Sequence, residues 1–187
     1  MKTDHPIQTE RFDLVSLDVS FVGERYQRWL RDENVNRYLE TRFLSHEQDA
    51  LVTYITQMLE STHSYLFAIV DRATGDHIGN IKIGPINGAH QTAAVGLVIG
   101  ESAWWGKGVA TETIASLSSW GFTALNLSKI TAGSYASNTG SIRAFLSCGF
   151  TQEGVQRSQV MLSSGLRDDV VLLGKVNPEM TAGKDEE

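Results

Sequence analysis

Two glycines flank a lysine where a strand pattern gives way to a helix pattern, in the segment 105–108 (Trp-Gly-Lys-Gly). The alternating apolar run Thr92–Ile99 is typical of a strand, and residues 109–125 carry apolar side chains about one helical turn apart. A helix that begins here offers free backbone N–H groups at the positive end of its dipole. Glycines let an anion approach this backbone closely. The segment therefore predicts an anion site, typically for a phosphate.

Two common phosphate-binding motifs do not fit this segment. A Walker loop needs four residues between its glycines, whereas five separate Gly100 from Gly106, and Gly108 stands where a serine or threonine should bind magnesium. A dinucleotide fingerprint needs a third glycine where Thr111 stands. The phosphate ligand is therefore of another kind.

Length and composition predict one soluble globular domain. The chain has 187 residues, 41% of them hydrophobic and 20% charged. The net charge of −6 and the lack of a basic cluster exclude an ordinary nucleic-acid-binding protein. The single cysteine, Cys148, suits a reducing compartment. Because there is also no apolar leader and no stretch of about 20 apolar residues, we expect a cytoplasmic protein that is not inserted in a membrane.

The periodicity of apolar residues predicts an α+β protein with the element order β-α-α-β-β-β-α-β-α-β-β. Ser45 and Gln48 match a capping box that opens the third helix, and Asn138 suits the start of the last one. We expect one domain over residues 1–176 and a disordered tail over 177–187. The predicted strands are 11–17, 65–71, 77–86, 92–99, 129–135, 150–160 and 168–175. The helices are 19–31 with its short continuation 32–39, which the order above counts as one element, and then 45–60, 109–125 and 138–149.

Two motifs in this chain resemble those of the GNAT superfamily of N-acetyltransferases. In the family pattern [QR]-x-x-G-x-[GA], Trp105 takes the first place, Gly108 the glycine and Ala110 the last small residue. The string W-G-K-G-x-A-T-E is similar to the ribosomal-protein-alanine-acetyltransferase-like branch. The segment 138–154 resembles the second family signature, N-x-x-S…G-F-x-x-E-G. The resemblance implies a mixed, mostly antiparallel sheet flanked by helices, whose fourth strand, Thr92–Ile99, splays away from the fifth, Lys129–Tyr135.

This resemblance implies acetyl-CoA as cosubstrate. The pantetheine arm would pair with the fourth strand near Val98 and Ile99, where a free N–H could polarise the thioester carbonyl. The helix of residues 138–149 would lie beside the cofactor. The cofactor-binding residues implied are Val98, Ile99, Trp105, Gly106, Lys107, Gly108, Val109, Ala110, Thr111, Asn138 and Phe145.

The catalytic residues are less well defined. Family members often carry a tyrosine as the acid for the departing thiolate, but Phe145 stands in its place and cannot donate a proton. The branch resemblance makes Ser141 the substitute. Glu101 is the carboxylate best placed to act as a base, whereas Glu112 suits a helix-dipole partner. Further polar candidates near strand ends, which could order water or substrate, are His77, Asn80 and Tyr135. We expect no metal site.

The acceptor stays open between a protein N-terminal amine and a small amine such as a nucleotide-linked amino sugar. The segment 26–39 resembles the N-terminal helices of acetyltransferases of the second kind, which form part of the acceptor wall. A non-catalytic acyl-CoA-binding or sensory module on the same fold is the alternative function. A monomer and a homodimer are both compatible with the sequence.

Overall fold

The computed structural model describes residues 1–181 of the chain. Its centre is an eight-stranded sheet in the order β1-β2-β3-β4-β5-β6-β8-β7. Within this part of the chain only the β5–β6 pair is parallel, and this confirms the mixed, mostly antiparallel sheet that the resemblance implies. The strands are β1 (Ile7–Gln8), β2 (Phe12–Ser16), β3 (Tyr65–Asp71), β4 (His77–Ile83), β5 (Thr92–Ile99), β6 (Lys129–Tyr135), β7 (Thr151–Met161) and β8 (Arg167–Val176).

Helices cover both faces of the sheet. Alternate residues of β3 explain this arrangement, because Phe67 and Ile69 pack into one apolar cluster while Leu66 and Ala68 pack into another. The first cluster holds Ile114 of α4 among its buried residues, and the second holds the buried faces of α1 and α3. The helices are α1 (Glu24–Arg31), α2 (Glu33–Asn36), α3 (Gln48–Glu60), α4 (Val109–Ala124), α5 (Thr139–Ser147) and α6 (Pro178–Thr181).

The strands β5 and β6 separate after a short stretch of pairing. Their register runs from Thr92 opposite Lys129 to Ala94 opposite Thr131, and beyond this point the two strands do not pair. This confirms the predicted splay between Thr92–Ile99 and Lys129–Tyr135. The remaining five residues of β5 are therefore paired on one side only, by β4.

Several local predictions differ from the structure. The helix expected over 19–31 begins at Glu24, because Gly23 is extended and follows a separate 3-10 turn. The capping box is wrong: α3 begins at Gln48, and the Ser45 hydroxyl accepts a hydrogen bond from the Glu47 N–H instead.

The two ends of the chain also differ from what the sequence predicted. The polar lead-in contains the short strand β1. At the other end, Asn177 is buried and donates to the Leu127 carbonyl at 3.2 Å, and helix α6 follows it. The expected disordered tail therefore does not begin at residue 177, and residues 182–187 lie outside the described part of the chain.

Candidate active site

A cavity of about 660 Å³ occupies the gap between β5 and β6. Four stretches of chain line it: residues within 34–39 after α1, the end of β5 at 97–99, residues within 104–111, and residues within 137–147 of α5 and its start. The structure thus brings together ten of the thirteen predicted site residues. They are Val98, Ile99, Trp105, Gly106, Gly108, Val109, Ala110, Thr111, Asn138 and Ser141.

The start of α4 provides the anion site of this cavity. Gly108 precedes the helix with a φ of 78°, a left-handed conformation that favours glycine, and no side chain caps the helix. The N–H groups of Val109, Ala110 and Thr111 therefore have no acceptor within the helix. They carry the positive end of the helix dipole, so this end of the cavity suits a phosphate.

The free edge of β5 provides a second set of backbone donors. Ala94 accepts a hydrogen bond from the β4 side at 2.8 Å, and Gly100 donates one to that side at 2.9 Å. Because the hydrogen-bonding direction alternates along a strand, Val98 also faces β4, whereas Leu97 and Ile99 face the gap. The sequence predicted a free N–H near Val98 or Ile99 that could polarise the thioester carbonyl. Of the two residues, Ile99 is the one whose N–H faces the gap.

Trp105 closes the end of β5. Its indole Nε1 donates to the Ile99 carbonyl at 2.8 Å. This bond occupies the Ile99 carbonyl, which faces the gap, and leaves the N–H of the same residue available to a ligand. The position that the family motif gives to Gln or Arg is thus occupied here by a side chain that fixes the strand end.

Asn138 and Ser141 lie together at the start of α5. The Asn138 side chain accepts a hydrogen bond from the Ser141 N–H at 3.3 Å, and this confirms Asn138 as the N-cap. Both residues also line the cavity. The capping bond uses the Asn138 oxygen and not its amide N–H groups, so those donors are available to a ligand in the cavity.

Three predicted site residues do not line the cavity. Lys107 extends its ammonium over the Trp104 ring, 5.6 Å from the centroid. Phe145 is buried in the core, edge-on to Phe150 at 5.0 Å, so it is a packing residue. Glu101 is held outside the cavity by α1.

One oxygen of the Glu101 carboxylate, Oε1, pairs with that helix. It accepts hydrogen bonds from Arg28 Nη2 at 2.8 Å and from Trp29 Nε1 at 3.0 Å. Arg25 Nε lies 3.8 Å away. The structure therefore gives Glu101 the role of fastening α1 to the end of β5, and the base predicted from sequence does not reach the cavity.

The other polar candidates also pair with protein groups. His77 Nε2 lies 2.8 Å from the Asn80 side-chain oxygen, and both residues are buried. Burial lowers the pKa of His77 despite that hydrogen bond, so its imidazole stays neutral. Tyr135 donates to Glu40 Oε1 at 2.5 Å. Burial and the Glu40 carboxylate raise the pKa of Tyr135. None of these three residues lines the cavity.

A set of hydrogen bonds behind the anion site, formed by Thr9, Arg11 and Glu112 and called the brace below, was not predicted from the sequence. Glu112, in the first turn of α4, accepts from Thr9 Oγ1 at 2.6 Å and from both the backbone N–H and Nε of Arg11 at 2.7 Å. Arg11 Nη2 also donates to the Lys107 carbonyl at 3.0 Å. Burial alone would raise the pKa of Glu112, but the hydrogen bonds outweigh it and the pKa is lowered. Arg11 therefore ties the glycine loop to the sheet.

The family model for the Acetyltransferase (GNAT) domain matches residues 21–151, well over half of the chain. The chain belongs to this GNAT family. Two relatives support this family assignment. This chain is 30% identical to the "Uncharacterized N-acetyltransferase p20" of Bacillus licheniformis over 81% of this chain and 85% of that protein. It is 33% identical to the "Probable N-acetyltransferase YjcK" of Bacillus subtilis over 68% of this chain and 70% of that one.

Solved structures share the GNAT fold. An acetyltransferase of this family from Bacillus anthracis superimposes with a TM-score of 0.78 at 19% identity, covering 91% of this chain and 98% of that one. A spermidine N-acetyltransferase from Vibrio cholerae in complex with CoA and spermine gives 0.76 at 22% identity, covering 89% and 95%. The protein is an N-acetyltransferase, and its cosubstrate is acetyl-CoA.

Among residues 1–181, no helix combines the length and the apolar character required to cross a membrane. In the same part of the chain, no three histidine, cysteine, aspartate or glutamate side chains lie where they could hold a metal ion together.

Proposed function

We propose that this enzyme transfers the acetyl group from acetyl-CoA directly to a primary amine while both substrates are bound. The observation that carries the proposal is the cavity between β5 and β6, which joins a free strand edge to an uncapped helix N-terminus. The first suits the amide groups of a pantetheine arm, and the second suits a diphosphate. Both ligand parts belong to one molecule, coenzyme A.

The strand edge orients the thioester. The backbone of Leu97 and Ile99 faces the gap, so the pantetheine amides pair with it as a neighbouring strand would. The Ile99 N–H then lies near the end of that arm, where the thioester carbonyl is. A hydrogen bond from it stabilises the negative charge that develops on the carbonyl oxygen during attack.

The diphosphate is held by backbone rather than by lysine. The N–H groups of Ala110 and Thr111 and the dipole of α4 bind it, with Gly108 allowing close approach. Arg143 is a cation that lines the cavity from α5 and adds positive potential. Lys107 lies beside Trp104 instead.

The cavity favours an acceptor amine that is already close to neutral at physiological pH. Within the described residues, its only charged lining side chains are Arg37 and Arg143, so no carboxylate is there to remove a proton. Deprotonating a lysine-like amine of pKa about 10.4 at pH 7 costs about 4.6 kcal/mol, whereas an α-amine near 8 costs about 1 kcal/mol. A peptide N-terminus and the less basic amine of a nucleotide-linked amino sugar meet this condition.

The positive lining also disfavours polyamine acceptors. The Vibrio cholerae neighbour was solved with spermine, a molecule with several cationic centres. Here Arg37 and Arg143 would repel such a ligand, and they would attract an acceptor that carries a carboxylate or a phosphate. Of the two acceptors left open by the sequence, the nucleotide-linked amino sugar carries such a group, in its phosphates.

The proposal is tested by following thiol release from acetyl-CoA with three amines: an alanine-initiated peptide, a nucleotide-linked amino sugar and spermidine. We expect release with the peptide or the amino sugar, and a much slower rate with spermidine. Stabilisation of the fold by CoA without release from any amine would favour a non-catalytic acyl-CoA-binding module. No stabilisation by millimolar CoA would refute the site itself.

A further inference from the structure

The departing thiolate of coenzyme A needs a proton donor, and the branch resemblance offered only Ser141 for this role. A thiol of ordinary pKa, about 8.5, leaves more readily when a side chain of similar pKa donates a proton to it. Phe145 is a hydrocarbon buried in the core, so it does not serve. The donor must be sought among the side chains that line the cavity.

One side chain in the described lining is a suitable acid. The guanidinium groups of Arg37 and Arg143 hold their protons too tightly to serve as donors in this step. Aliphatic hydroxyls are weaker acids still, and these come from Thr111, Ser137, Thr139, Ser141 and Ser147. The remaining acid is the phenol of Tyr38, because a phenol gives up its proton more readily than an aliphatic hydroxyl does.

Tyr38 is held in place on the wall that faces α5. Its hydroxyl donates to the Ser137 carbonyl at 3.3 Å, immediately before the N-cap Asn138. Its ring meets Tyr135 edge-on, with centroids 5.7 Å apart, and the Arg37 guanidinium lies 4.8 Å from its centroid. These contacts hold the phenol of Tyr38, which follows α2, against the end of β6.

We propose that Tyr38 is the proton donor to the departing thiolate, an inference that rests on the acetyl transfer proposed above. The neutral amine nitrogen forms a bond to the thioester carbonyl carbon, and the carbon–sulfur bond breaks. The sulfur takes the proton of the Tyr38 hydroxyl, which has only a long hydrogen bond to Ser137 to give up. The excess proton on the new amide nitrogen passes to water, and water returns a proton to the phenolate.

The test compares Tyr38→Phe with Ser141→Ala and with the matched control Tyr135→Phe. Tyr38→Phe keeps the ring and its contacts with Tyr135 and Arg37, and removes only the hydroxyl. Tyr135→Phe removes a neighbouring hydroxyl that does not line the cavity. The amine used is whichever of the alanine-initiated peptide and the nucleotide-linked amino sugar the unmodified enzyme acetylates faster, and it is supplied at saturation.

We expect kcat of Tyr38→Phe to fall by about 100-fold, because general acid catalysis is worth at least this much. The KM for acetyl-CoA, the dissociation constant of CoA and Tm should stay within about twofold or a few degrees of the unmodified values, since no binding contact is lost. Tyr135→Phe should keep kcat. A reduced Tm together with weaker CoA binding in Tyr38→Phe would show a structural role instead.

Two other results separate the possible failures. If Tyr38→Phe keeps its rate while Ser141→Ala loses it, Ser141 is the donor, and only the role of Tyr38 is overturned. If the unmodified enzyme binds CoA but releases no thiol with any amine, the proposed transfer fails, and the role of Tyr38 fails with it.

Discussion

The replacement of Gly108 by alanine tests the anion site without introducing a steric clash. A Cβ built on Gly108 lies 3.5 Å from its nearest neighbour, Arg11 Nη2, which is an ordinary contact. The cost therefore comes from the backbone, whose φ is 78°. A left-handed conformation costs a non-glycine residue about 1–2 kcal/mol. For a chain of this size, each kcal/mol lowers Tm by roughly 2–4 °C.

The same strain should weaken binding of coenzyme A. The loop can relieve the strain by rotating away from the left-handed region, and this moves the N–H groups of residues 109–111 out of line with the cavity. A penalty of about 1.4 kcal/mol on the binding conformation raises a dissociation constant about tenfold. We therefore expect Gly108→Ala to bind CoA about tenfold more weakly, as measured by isothermal titration calorimetry.

Gly75→Ala is the matched control for this experiment. Gly75 has nearly the same φ, 77°, with no atom within 4 Å of a built Cβ, and it lies in the turn between β3 and β4. It should lose a similar amount of Tm and keep the CoA affinity of the unmodified enzyme. Equal affinity in both variants and the unmodified enzyme would refute the assignment of the phosphates to this loop.

Three further substitutions test the groups around the cavity. Arg11→Met should weaken CoA binding about fivefold and cost about 1 kcal/mol, a discounted value since the Arg11 side chain is 41% exposed. Arg31→Met, which removes an exposed ion pair with Glu47, should leave the CoA titration unchanged, and an equal loss in both would contradict the brace. Glu112→Gln should lower the free energy of unfolding at neutral pH but not in acid: because the pKa of Glu112 is lowered in the fold, its contribution is full above about pH 4.3 and is lost as pH falls further. Urea unfolding at a series of pH values should show the two proteins converging in acid; a constant difference would argue against the ionised carboxylate. Glu101→Gln should lower Tm yet keep kcat within about threefold, since the carboxylate serves α1 rather than the reaction. A large loss of kcat there would restore Glu101 as the base.

Local patterns predicted the sheet and the loop well. The strands Tyr65–Asp71, Thr92–Ile99 and Lys129–Tyr135 have the predicted bounds, because their alternating apolar runs end at turn residues or at polar segments. Gly108 does begin a helix with a positive φ. These features are set by residues close in sequence, so one chain without relatives was enough to find them.

Contacts between distant segments were beyond the reach of sequence patterns. Glu112 looked like a helix-dipole partner, but its bonds go to Thr9 and Arg11, about 100 positions earlier. Tyr38 was predicted to lie in the short helix 32–39, but α2 ends at Asn36, and the Tyr38 hydroxyl reaches Ser137, 99 positions later in the chain. Glu101 was predicted as a base because it follows β5, yet the arginines of α1 reach it first. The one feature of the sequence that could have indicated the brace was the acidic residue Glu112 in the first turn of α4.

The central claim is that acetyl-CoA lies between β5 and β6 with its diphosphate at the start of α4. The N–H groups of Ile99, Ala110 and Thr111 have no intrahelical or interstrand acceptor in this arrangement, so they exchange with solvent from the native state. Stabilisation of the whole fold does not slow such exchange, whereas an acceptor on the ligand does.

Residue-resolved amide hydrogen exchange, with and without saturating CoA, measures this directly. We expect strong slowing at Ile99, Ala110 and Thr111. A second cavity of about 480 Å³, lined by Tyr26, Tyr54 and other residues of α1, α3 and the segment before α3, should show no such local change. Unchanged exchange at the three amides, or slowing confined to the second cavity, would contradict the account.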